Sequence, residues 1–133
     1  MTQEQTEIAA GWELDALVHR ALGRGCFPRG HGEQTQFYRS DAPTQTIPPY
    51  TADAGEADRA LAERCRQLAE VAAFPHDFTV AMNPQRRPED RYYVAIHGLG
   101  TTYDGYGSTL GEAAGRAIRA TAPGLTLAPT DRR

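Results

Sequence analysis

The stretch HDFTVAMNPQRRPEDRYYVAIHG, residues 76–98, decides the fold. In residues 76–84, Phe78, Val80 and Met82 alternate with Asp77, Thr79 and Ala81. A period of two is that of a half-buried strand. QRRPED is polar and carries a proline, so it reads as the turn. Residues 91–98 alternate again: Tyr92, Val94 and Ile96 on one face, Arg91, Tyr93, Ala95 and His97 on the other. Two such runs around a turn predict an antiparallel hairpin.

Outward from the hairpin the period changes to that of helices. Residues 52–72 carry one apolar stripe of Ala57, Leu61, Cys65, Leu68 and Ala72, closed by Phe74-Pro75. Residues 11–22 place Leu14, Leu17, Val18, Ala21 and Leu22 on one face, with Gly23 and Gly25 as C-cap signals. Residues 108–122 form a last helix, with Thr109 and Glu112 in capping-box relation. Its face of alanine and glycine allows close packing on a sheet. LGTTYDGYGS, residues 99–108, reads as a third short strand or a glycine-rich loop. Residues 23–47 read as a long loop with an extended piece at Gln36–Arg39; that length points to function or to covering an edge. Residues 1–10 read as a loose helical turn and residues 123–133 as a frayed tail. The order is helix, loop, helix, hairpin, helix: an α+β fold with a small antiparallel sheet, in one domain over 1–133.

Bulk properties narrow the function. The chain has 133 residues, 40% hydrophobic, with a net charge of -3. Its pI is about 5.8 and its mean hydropathy -0.57. A mildly acidic chain lacks the clustered positive charge that non-specific nucleic-acid or anionic-membrane binding needs. Every basic residue other than histidine is arginine. Cys26 and Cys65 form no CxxC, which fits a reducing cytoplasm. No apolar run is long enough to span a membrane, and the N-terminus lacks a secretory pattern. No metal-ligand spacing and no nucleophile motif stands out, so neither a cofactor nor an enzyme is expected.

Three stretches hold the candidate binding residues. NPQRRPEDR places Arg86, Arg87 and Arg91 at one end of the hairpin, where they suit phosphate or carboxylate. Against that, Glu89 and Asp90 stand ready to neutralise them. GLGTTYDGYGS supplies glycines that permit close approach and tyrosines, Tyr103 and Tyr106, that stack on a base or ribose. PPYTAD, residues 48–53, sets Tyr50 and Thr51 at a helix N-terminus, where free N–H groups bind anions. The competing reading makes Thr51 the N-cap, Asp53 and Glu56 a second capping box, and Tyr50 a staple.

Three segments together resemble the phage ABA-sandwich domain family. They are GWELDALVHRALG (11–23), PPYTADAGEADRAL (48–61) and STLGEAAGRAIRA (108–120). The resemblance implies an α/β/α layered fold and a phage accessory context, and carries no catalytic assignment. With it comes the leading expectation: a non-enzymatic sponge that binds a nucleotide-type immune signal in the host cytoplasm, as a homo-oligomer. Arg86, Arg87 and Arg91 would take the phosphates, and Tyr103 or Tyr106 the base. A protein-interaction module acting on a host protein is the alternative. RNA binding ranks below both, because Glu112 stands where a duplex-binding helix needs basic residues.

Overall fold

The computed structural model describes residues 11–31 and 35–127. The elements in order are α1 (Trp12–Ala21), β1 (Cys26–Arg29), β2 (Gln36–Arg39), α2 (Ala54–Ala72), β3 (Asp77–Met82), β4 (Tyr92–His97), β5 (Thr102–Gly107) and α3 (Leu110–Ala120), with a 3-10 turn at Pro88–Asp90. This is a mixed α+β fold with two small antiparallel sheets, β1-β2 and β3-β4-β5. The expectations for residues 1–10 and for 128–133 lie outside the described residues.

The hairpin forms with the expected alternation. Phe78 pairs with Ile96 and Val80 with Val94, so the apolar positions share one face. The stretch after it is a strand: β5 pairs with β4, Ile96 opposite Tyr103 and Val94 opposite Gly105. The glycines of β5 serve helix packing. A Cβ on Gly105 would lie 2.6 Å from the Ala113 carbonyl oxygen and from the Ala117 nitrogen, both in α3. α3 thus rests backbone to backbone on β5. On its far side, Gly115 admits the side chain of Leu14 from α1. The main core joins Leu14, Val18, Leu61, Val94, Ile96, Ala113, Ala117 and Ile118, with Phe78 and Tyr103 packed against it. The helices share that side of the three-stranded sheet. Its opposite face carries Thr79 and Ala81, Tyr93 and His97, and Thr102, Asp104 and Tyr106.

Several local expectations change. The cap of α2 is Asp53, whose carboxylate accepts from the Gly55 and Glu56 N–H groups. Thr51 is not the cap: its N–H donates to Asp15 and its hydroxyl accepts from Gly11 N–H, tying the loop to α1. The described residues of 23–47 form a ribbon, not one loop. Gln36–Arg39 is extended as expected, and it pairs with a strand at Cys26–Arg29. Pro28 and two glycines mask that strand in the sequence. A second small core of Ala16, Cys26, Phe37 and Ile47 lies beneath it. Leu125 and Leu127 pack on the two cores, so the tail is anchored as far as residue 127. β3 is half-buried only at Phe78; Val80 and Met82 are 46% and 54% exposed, because β3 is an edge strand.

Candidate functional site

The open sheet face and the β3–β4 connection build the site. Cross-strand pairing sets Ala81 opposite Tyr93, and Tyr93 opposite Tyr106, in one row over three strands. The rings of Tyr93 and Tyr106 have centroids 4.8 Å apart at 47°. The connection then folds back over this row. Asn83 N–H donates to the Arg91 carbonyl and its side-chain oxygen accepts from Gln85 N–H. The 3-10 turn brings the Asp90 carbonyl to Arg86 Nε at 3.2 Å. The Arg86 guanidinium thereby lies over the Tyr106 ring, 4.6 Å from its centroid. Arg91 Nε donates to the Arg86 carbonyl. Ala81, Asn83, Arg86, Arg91, Tyr93 and Tyr106 enclose a shallow pocket of about 190 Å³.

The charges in this pocket are unbalanced. Among the described residues, no carboxylate lies within ion-pair distance of Arg86 or Arg91. Asp104, on the same face, accepts the Tyr93 hydroxyl hydrogen bond at 3.1 Å. The Tyr93 hydroxyl pKa is raised, first by desolvation, then by that carboxylate. The phenol stays protonated and directs its dipole at Asp104. The pocket therefore presents two guanidinium groups beside a tilted tyrosine pair. Such groups take an oxyanion together with a planar ring.

The expected residues divide. Arg86, Arg91 and Tyr106 come together. Arg87 does not join them: Asp90 binds it at 2.8 Å and Glu89 at 3.4 Å, and its side chain is 75% exposed. Tyr103 falls on the helix-facing side of β5 and packs on the core. Tyr50 and Thr51 are buried elsewhere. Tyr50 shares a 2.8 Å hydrogen bond with His19 Nδ1 and borders a cavity of about 220 Å³ with Arg24, Arg59 and Glu63. There Arg24 is paired with Glu63, so no cation of that pair is left for an anion. Tyr93 and Asn83 are the residues that sequence reading missed. The alternation that put Tyr93 beside Arg91 was the available signal; only pairing with Tyr106 turns it into a site.

No helix of the described residues is long and apolar enough to cross a membrane. Compared with protein-family models, with curated proteins and with solved structures, the chain matches none.

Proposed function

We propose that this protein binds and holds a nucleotide-type ligand without turning it over, at the pocket of Arg86, Arg91, Tyr93 and Tyr106. The observation that carries the reading is the pair of guanidinium groups free of carboxylates beside a tyrosine pair. Arginine binds phosphate bidentately, and both tyrosine and guanidinium planes stack on bases. Binding of this kind uses charge and π surface, and asks for no proton transfer. The pocket is smaller than the roughly 300–1,000 Å³ usual for a small-molecule site. A second copy would complete it. The edge strand β3 contributes Ala81 to the pocket and exposes Val80 and Met82, which gives that copy an apolar, hydrogen-bonding edge. The phage setting, with an immune signal as ligand, rests on the sequence resemblance.

Native mass spectrometry with cyclic dinucleotides, cyclic trinucleotides and cyclic ADP-ribose isomers tests the reading. The expected result is an oligomer that retains one class of ligand unaltered, with retention lost in R86A and Y106A. A ligand released in altered form would mean an enzyme. An empty spectrum across the panel would overturn the nucleotide reading. The exposed Val80 and Met82 equally suit a partner protein, the second reading; a stoichiometric host protein on the wild type, lost in V80E, would select it.

A further inference from the structure

A different cavity lies between α1 and the ribbon. It measures about 160 Å³, and it is lined by Trp12, Asp15, Gln36, Phe37, Thr46, Ile47 and Pro49. Asp15 is only 8% exposed. Its carboxylate accepts the Thr51 N–H at 2.8 Å, yet no basic side chain of the described residues lies within ion-pair distance. A buried carboxylate without a cation is costly to keep ionised, and burial accordingly raises the Asp15 pKa. Beside it stands the indole of Trp12, stacked on Phe37 at 5.3 Å and still 38% exposed. Trp12 is the only tryptophan of the chain. An indole is the strongest cation–π partner among side chains.

We infer that the cavity of Trp12, Asp15, Phe37, Ile47 and Pro49 is a binding site for a quaternary ammonium head group. The carboxylate supplies the counter-charge and the indole the π face. A primary ammonium or a guanidinium needs several acceptors around it. Here the acceptors are already engaged: Asp15 takes the Thr51 N–H, the Gln36 amide oxygen accepts from the Tyr38 hydroxyl at 3.5 Å, and the Thr46 carbonyl accepts from Arg39 Nε at 2.9 Å. A quaternary ammonium has no N–H to satisfy, and it fits a cavity of this size. The inference does not depend on the nucleotide site, which lies on the open sheet face.

Trp12 fluorescence tests it. Choline is titrated at constant ionic strength against sodium chloride, beside 3,3-dimethyl-1-butanol, its neutral carbon isostere. The expected result is a saturable emission change with choline only, weakened at least tenfold in D15N. Asparagine retains an oxygen for the Thr51 N–H; circular dichroism confirms the fold, and F37L, which keeps Asp15 and Trp12, gives a second weakened variant. An equal response to the isostere, unchanged ammonium affinity in folded D15N, or no saturable response to either ammonium compound would each overturn the inference. N-acetyl-trimethyllysine amide, in the same assay, tells a side-chain source from a choline-type one: saturable binding of either supports the site.

Discussion

His19 and Asp15 stand one turn apart on α1, and burial acts on them in opposite senses. His19 is 3% exposed, and its pKa is lowered to about 4 by desolvation first and then by Arg24 and Arg39. Neutral His19 is the form that shares the hydrogen bond with Tyr50. Between pH 6.5 and 4 the unfolded chain binds the proton that the folded chain refuses. Stability from this group is therefore full above pH 6.5 and declines on acidification toward 4, by as much as about 3 kcal/mol. Asp15 works the other way: its raised value lends stability in acid and loses it as pH rises through the folded pKa. Urea unfolding from pH 7 to 4 should show a decline in the wild type, flattened in H19Q and steepened in D15N. Tyr50 belongs to the same buried group, its pKa pushed up to about 12 by desolvation. Y50F should cost about 1–3 kcal/mol at pH 7, by leaving the imidazole without its partner.

At the scale of elements, the two ends of α2 are built with unequal care. Asp53 closes the N-terminus with two N–H bonds, 2.8 Å and 3.1 Å. At the other end Ala73 adopts the left-handed conformation, φ 53°, a position that favours glycine. Thermal unfolding should place D53A about 1 kcal/mol below wild type and A73G about 1 kcal/mol above it. β5 and α3 are held by absence of side chains instead. G105A would drive a methyl into the α3 backbone, which cannot yield locally. We expect a loss of about 3 kcal/mol or more, of the size that overpacking produces. G124A, where nothing lies within 4 Å of the new methyl, should leave the melting temperature close to wild type.

For the whole molecule, the asymmetry of the three-stranded sheet matters most. One face is covered by α3 and α2, the other carries the tyrosine row, and the β3 edge is unguarded by proline or lysine. On the proposed reading, that edge is where a second copy completes the pocket. Sedimentation should then find V80E and M82E monomeric with native circular dichroism, and both should hold the nucleotide more weakly. R86A should keep the oligomer and lose the ligand. Separation of the two effects follows from the geometry: Val80 lies on the helix-side face of β3, while Arg86 stands over the open face.

Local periodicity carried much of this fold. The hairpin at 76–98, the stripes of α1 and α2 and the small-residue face of α3 each follow from a pattern repeated within a few residues, which is how backbone geometry writes itself into sequence. β1 did not show, since four residues around Pro28 form a strand only by pairing with Gln36–Arg39. The candidate site was half legible. A run of Arg86, Arg87 and Arg91 announces a positive hairpin end, but the 3-10 turn decides that Arg87 meets Asp90 while Arg86 lies over Tyr106. Tyr103 and Tyr106 are equivalent as letters. Their odd spacing sends them to opposite faces of β5, and which face is covered depends on where α3 rests. Cavities such as the one at Asp15 are written nowhere in a single segment, because α1, the ribbon and the loop before α2 each give only one wall. The three helices and the β3–β4 hairpin follow from the sequence, since their signals are local; β1, the strand character of β5 and which side chains meet came from tertiary structure, because contacts between segments far apart in the chain depend on packing.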